Sequence, residues 1–226
     1  MKLRLITPAA ALLLFCAGAA ALAVEVQDLR SVPAITGDAQ AGATKAALCV
    51  ACHGPDGHSM VAAFPALAGQ NATYNYQQML QYQSGQRVSA VMAPFLASLS
   101  DADLRDIAAY FAAQAARPAN AAASAQATET GRKLYVDGDP ARGIPSCQGC
   151  HGVNGVGMQP AGPNDRVPWH SFPTLAGQQG DYVAQQLRAY KEGARGGTTS
   201  AVIMQEVAKT LDDAAMQAVA AYIAAH

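Results

Sequence analysis

Apolar residues recur at three- and four-residue spacing in several stretches of this chain, the period of a helix that buries one face. Leu104, Ile107 and Phe111 form one such stripe. It follows Ser100-Asp101-Ala102-Asp103, a run suited to holding the free N–H groups of a first helical turn. Met216, Val219 and Ile223 form a second stripe behind Asp212. Residues 70–83 carry Tyr74, Met79 and Tyr82 at near-helical spacing and stop at Ser84-Gly85, and residues 182–191 read the same way. Asp38 is placed to cap a shorter helix, and residues 130–136 open another. No stretch alternates well enough for a strand, so the pattern predicts an all-α protein.

The pattern also repeats. Cys49-Val50-Ala51-Cys52-His53 returns as Cys147-Gln148-Gly149-Cys150-His151, 98 residues later. Phe64-Pro65-Ala66-Leu67-Ala68-Gly69-Gln70 returns as Phe172-Pro173-Thr174-Leu175-Ala176-Gly177-Gln178, at an offset of 108. Tyr82, Gly85 and Arg87 return at the same offset as Tyr190, Gly193 and Arg195. Met92 returns as Met204 and Ala108-Ala109-Tyr110 as Ala220-Ala221-Tyr222, both at 112. A growing offset means a duplicated unit with loop insertions, ten residues after the second cysteine motif and four more before Met204. Residues 24–116 and 130–226 are the two expected domains, joined by an alanine-rich linker at 117–129 that contains Pro118, Asn120 and Ser124.

Hydrophobic residues make up 51% of the chain but aromatics only 6%. Alanine buries little area, so two such small polypeptide cores would be thin without further apolar material. Residues 1–23 read as a secretory signal: Lys2 and Arg4 at the start, an apolar run, and Ala21-Leu22-Ala23 before the cleavage point. Cys16 leaves with it. An uncleaved leader would be nearly long enough to tether the protein loosely to a membrane. Two of the 15 basic residues lie in the leader, leaving 13 against 16 acidic ones. With no basic stripe, nucleic acid is excluded as a partner.

Cysteine carries the chemistry. C-x-x-C-H is the attachment signature of a c-type haem. Two thiols three positions apart on a helical turn each add to one vinyl group, and the following His reaches the iron. A zinc site would need both C-x-x-C pairs in one place and would leave both His residues as coincidences. The expectation is two covalent haem c groups, on Cys49 and Cys52 and on Cys147 and Cys150, with His53 and His151 as axial ligands.

The second axial ligand is sought among six methionines. Met92 and Met204 hold matching places, each seven residues before a Leu (Leu99, Leu211) that leads into a final helix. Both read as lying in irregular segments, and both are taken as the distal ligands. Met60 and Met158 follow their His by only seven residues, too short a loop to cross a haem face comfortably, and read as haem-edge packing. Met79 and Met216 read as core.

A proximal His needs an acceptor for its other N–H. Pro65 and Pro173 keep a carbonyl while stiffening the chain, so they are expected to accept from His53 and His151, with Leu67 and Leu175 packed on the haems. Arg87 and Arg195 are placed either to pair with haem propionates or to lie solvated on a loop. Tyr74, Tyr82, Tyr182 and Tyr190 suit the haem edges, the seam between domains or plain core. His170, beside the lone Trp169, reads as a surface-loop histidine.

Taken together, the segments from Cys49 to Gly54, Phe64 to Gln70, Met92 and Ser100 to Phe111, with their second-half counterparts, resemble the dihaem cytochrome c4 family. The resemblance covers residues 37–226. It implies two class I cytochrome c domains facing each other across a pseudo-twofold axis, with haem propionates near the interface. It also implies periplasmic electron transfer from a quinol–cytochrome c reductase to a terminal oxidase. The chain departs from the family in the short segment between Arg87 and Met92 and in the insertion from Gly157 to His170, which bear on the partner surface.

The function expected is that of an electron carrier with no small-molecule substrate. Two alternatives stand beside it: a cytochrome subunit of a larger dehydrogenase or oxidase, and a dihaem enzyme such as a thiosulfate dehydrogenase. The enzyme would want an open iron position or a cysteine ligand, and no spare cysteine survives the leader.

Overall fold

The structure, a computed structural model, describes residues 26–117, 125–158 and 168–226, with side chains from residue 129 in the helix that begins at 125. The expected leader, most of the linker, and residues 159–167 of the insertion lie outside these. The described residues contain ten α-helices: α1 Ala39–Lys45, α2 Val50–His53, α3 Ala72–Ser84, α4 Met92–Leu96 and α5 Asp101–Ala113, then α6 Ala125–Val136, α7 Gln148–His151, α8 Gly180–Lys191, α9 Thr199–Lys209 and α10 Asp213–Ala225. Only two isolated β-bridges occur among them, Gln27 with Thr198 and Asp139 with Ile144. No described helix is long and apolar enough to cross a membrane.

Helix ends fall where the polar residues predict. Asp38 accepts from the N–H groups of Gln40 and Ala41, and Asp212 from that of Ala215. Ser100 and Asp103 bond reciprocally at the start of α5, satisfying two donors that the helix itself leaves free. In each half the first and last helices cross at a glycine. A Cβ on Gly42 of α1 would lie 2.0 Å from the Asp106 carbonyl oxygen in α5. A Cβ on Gly131 of α6 would lie 2.0 Å from the Ala218 oxygen and 2.8 Å from the Tyr222 Cβ in α10. This pair sits at an offset of 89, because a turn closed by Asp139 and Ile144 separates α6 from the second cysteine motif. The predicted stripes face inward: Leu104, Ile107 and Phe111 in the first half, Met216, Val219 and Ile223 in the second, each almost fully buried.

The halves meet through reciprocal contacts. Gln70 Nε2 donates to the Thr174 oxygen and Gln70 Oε1 accepts from the Thr174 N–H, both at 2.8 Å. Gln178 does the same to Ala66, at 2.9 and 2.8 Å. Residue i meeting j+108 while j meets i+108 is the signature of a twofold relation. The glutamine closing each repeated Phe-Pro motif is therefore a clasp between domains.

One contact breaks the symmetry. The segment before α1 crosses to the second half, where the Gln27 N–H donates to Gly197 O (2.9 Å) and Gln27 O accepts from the Thr199 N–H (3.0 Å). The Leu29 N–H donates to Thr199 Oγ1 at 2.9 Å, and its side chain is 2% exposed. Leu29→Ala should lower the stability of the holoprotein by about 2–4 kcal/mol, read as a shift in denaturation midpoint, because the strap cannot collapse into the space left.

Candidate functional site

Each cysteine motif is a single helical turn ended by a glycine. Gly54 follows His53 at φ 83°, and Gly152 follows His151 at φ 77°. Both conformations suit only glycine, and a Cβ would strike the His58 oxygen at 2.6 Å or the Gly157 oxygen at 2.2 Å. The chain thereby turns back and brings the Phe-Pro segment under the histidine. The backbone N–H groups of Leu67 and Ala68 donate to Gly57 O at 2.8 and 3.3 Å, and those of Leu175 and Ala176 to Gly155 O at 2.7 and 3.0 Å.

Both carbonyl contacts expected from the sequence are made. His53 Nδ1 lies 2.9 Å from Pro65 O, and His151 Nδ1 lies 3.0 Å from Pro173 O. As N–H donors these nitrogens leave Nε2 with a free lone pair. Burial holds both imidazoles below the ordinary histidine pKa, with the proline carbonyls opposing, which keeps them neutral. Phe64 and Phe172 flank the two rings at centroid separations of 6.3 and 6.4 Å, a contact that the sequence reading missed. The repeated Phe-Pro pair was the available signal.

Among the described residues the four motif cysteines form no disulfide, so each sulfur is there to form a thioether. Before attachment, burial pushes the Cys147 thiol up to about 11 and raises that of Cys49. Cys147, Cys150, His151 and Met204 line one cavity, walled by Leu175 and Leu187 among other apolar side chains. Two thiols, an imidazole and a thioether around an apolar slot are the donor set of a c-type haem. In the first half, Met92 packs with Met79 and Leu99 against Leu96 and Leu104, while Cys49 and Leu67 pack against Ile107 and Phe111.

Met92 and Met204 are not in irregular segments. Met92 opens α4, and Met204 lies in the middle of α9, whose first turn is capped by Thr198 accepting from Ala201 N. The Thr198 cap and packing against the second core favour helix in this stretch. Met60 is 92% exposed, so it packs on no protein surface. His170 is buried in a short turn, Pro168–Ser171, rather than on the surface. Its neighbour Trp169 meets the first domain, with the Trp169 oxygen accepting from Asn71 Nδ2 at 3.5 Å.

Arg87 and Arg195 are buried at the seam, 7% and 5% exposed, and not solvated. Arg87 donates to Tyr182 (3.0 Å) and Gln186 (2.7 Å) of the other domain, and Arg195 to Tyr74 (2.8 Å) and Gln78 (2.6 Å). Gln78 Oε1 also accepts from Arg87, and Gln186 Oε1 from Arg195, so two amides bridge two guanidinium groups. Each Arg lies over a tyrosine ring of its own domain, Tyr82 at 4.6 Å and Tyr190 at 4.5 Å from the centroid. Burial pushes the Tyr82 phenol up to about 12, so it stays neutral near pH 7. None of the ion pairs among the described residues involves either arginine. Two adjacent buried cations without an anion would cost several kcal/mol each. A cofactor with carboxylate arms reaching the seam resolves that, and a haem has two.

Comparison with known proteins agrees with this geometry. A family model described as Cytochrome c matches residues 128–226, and one described as Cytochrome C oxidase, cbb3-type, subunit III matches residues 38–111. The chain is 41% identical over 196 residues to cytochrome c4 of Azotobacter vinelandii, covering 83% of this chain and 88% of that one. It is 38% identical over 188 residues to a thiosulfate dehydrogenase electron acceptor of Stutzerimonas stutzeri, covering 82% of each. The crystal structure of reduced recombinant cytochrome c4 from Pseudomonas stutzeri superposes with a TM-score of 0.76 at 37% identity, covering 84% of this chain and 99% of that one.

Proposed function

This chain belongs to the cytochrome c4 family, and on that premise we propose that it ferries electrons in the periplasm from a quinol–cytochrome c reductase to a terminal oxidase. It is a dihaem electron-transfer protein with two covalently bound haem c groups. The observation that carries the reading is the cavity in which Cys147, Cys150, His151 and Met204 converge.

When bound, each haem supplies a one-electron ferric–ferrous couple. The protein does the rest. His53 with Met92, and His151 with Met204, would hold the two irons. Pro65 and Pro173 aim the imidazoles through their carbonyls and keep them basic. Leu67 and Leu175 close the apolar walls, excluding water and raising the potential. Arg87 and Arg195 would meet the propionates at the seam, where the glutamine clasps fix the two domains relative to each other. With each iron held by an imidazole and a thioether, no coordination site would be left for a substrate, as suits a carrier rather than an enzyme.

The relative described as a thiosulfate dehydrogenase electron acceptor supports a second reading, in which electrons enter from a periplasmic dehydrogenase. One experiment separates these. The oxidised holoprotein is mixed with quinol-reduced membranes or with a thiosulfate dehydrogenase and its substrate, and haem reduction is followed by its visible bands. Fast reduction by the membranes alone supports the first donor, and reduction by the dehydrogenase alone overturns it. Carbon monoxide binding to the resting ferrous protein at either haem would contradict the carrier role.

A further inference from the structure

The cavity that holds His151 and Met204 is not built by the second domain alone. Leu29, Tyr74, Gln78 and Gln81 of the first domain also line it. The last three fall at i, i+4 and i+7 on α3, one face of that helix. Of these three, Gln81 is the one with an orphaned atom. It is 3% exposed, and its Nε2 has no hydrogen-bond partner among the described residues. A buried amide donor left unpaired costs about 1–3 kcal/mol. Such a group in a cofactor cavity points to a partner on the cofactor.

We propose that Gln81 is a cofactor-binding residue for the haem of the other domain, its Nε2 donating to a propionate of the haem held by Cys147 and Cys150. Carboxylates are the only anionic part of a haem, and Gln81 shares this cavity with Arg195, the cation of its lining, which Tyr74 and Gln78 hold in place. Gln81 is held in place by its own backbone, since its carbonyl accepts from the Arg87 N–H at 2.9 Å.

The repeat makes the assignment one-sided. The position equivalent to Gln81 is Ala189, whose carbonyl accepts from the Arg195 N–H at 3.1 Å in the matching turn. Alanine has no side-chain donor. Around the seam Tyr74, Gln78, Tyr82 and Arg87 all have identical counterparts, and this position does not. A donor that offsets part of a propionate's charge disfavours the ferric state, so Gln81 raises the potential of the second haem relative to the first. The two haems are thus made unequal from across the interface.

The assignment rests on the haem c reading of this cavity. It is tested on the purified holoprotein by redox titration of the paramagnetically shifted haem methyl resonances, each haem being identified by its contacts to the Met92 or Met204 methyl group. Gln81→Leu should shift the reduction equilibrium of the second haem about three- to tenfold toward ferric, where tenfold corresponds to about 59 mV, and leave the first haem unmoved. Ala189→Gln, which installs the missing donor, should shift the first haem the opposite way and leave the second in place. It decides the matter if Gln81→Leu does not fold. Unchanged couples in both variants, or equal shifts of both haems, overturn the role of Gln81. A wild-type protein carrying a single haem would instead overturn the reading of the cavity.

Discussion

Met204→Ala should remove the methionine–iron charge-transfer band from one haem and leave it on the other, and Met92→Ala should do the reverse. Each loss should be accompanied by a fall in the potential of the affected haem, by a sizeable part of the roughly 0.8 V that axial ligands span. The thioether is a soft ligand that favours ferrous iron. Removing it leaves water or a stronger donor in its place and stabilises the ferric state. Near-infrared and visible spectra of the two variants beside the wild type, with a redox titration, check this. Full retention of the band in both variants would remove these two methionines from the ligand set. Met204 lies on a regular helix, so its side chain is aimed by the packing of α9, and Met204→Ala should leave the fold of the second domain in place.

Gly131→Val should be among the most damaging substitutions outside the haem sites. A Cβ at this position already falls 2.0 Å from the Ala218 carbonyl oxygen, a backbone atom that cannot swing away. α6 and α10 would have to separate, uncovering Met216 and Tyr222, which are 0% and 2% exposed. A cost above about 4 kcal/mol is expected, in the range reserved for broken cores. In a protein of this size that lowers the melting temperature by roughly 10 °C. Gly42→Val should do the same to the first domain, where the Asp106 oxygen takes the place of Ala218 O. Calorimetry of the holoprotein checks both. A loss below 1 kcal/mol in either would mean that the helix crossing is looser than the structure has it.

Most of the helices were legible because their signals are local. The Ser100 and Asp103 box, the Asp38 and Asp212 caps and the Leu104-Ile107-Phe111 stripe each involve residues within a few positions of one another. The proline carbonyls were legible for a related reason. A histidine that binds iron needs an acceptor, and the stiff Phe-Pro segment repeats in both halves a short loop away from it. Met204 is helical where the sequence reading expects an irregular segment, because the Thr198 cap and the packing of α9 on the second core outweigh a weak local preference. The glycine crossings went unseen for a different reason. Gly42 and Gly131 repeat at an offset of 89, while the cysteine motifs repeat at 98, so they fell out of register in the comparison of the halves.

Arg87 and Arg195 mark the limit of what a chain can say about itself. The sequence left them between propionate partners and solvated loops, and nothing within ten residues could choose. Their choice depends on Tyr182 and Gln186, or on Tyr74 and Gln78, about a hundred positions away.

By itself the amino-acid sequence determined the number of haems and the duplicated helical plan, and it carries the proposed attachment points and proximal ligands, because thioether formation, imidazole ligation and helix capping act over a few covalent bonds or one helical turn. Only the tertiary structure decided that Leu29 and Gln81 of one domain close the cavity of the other, that two arginines share a buried seam, and that the halves are unequal there. Those outcomes depend on which surfaces the folded domains present to each other, and burial and hydrogen bonding across that seam have no period along the chain from which to be read.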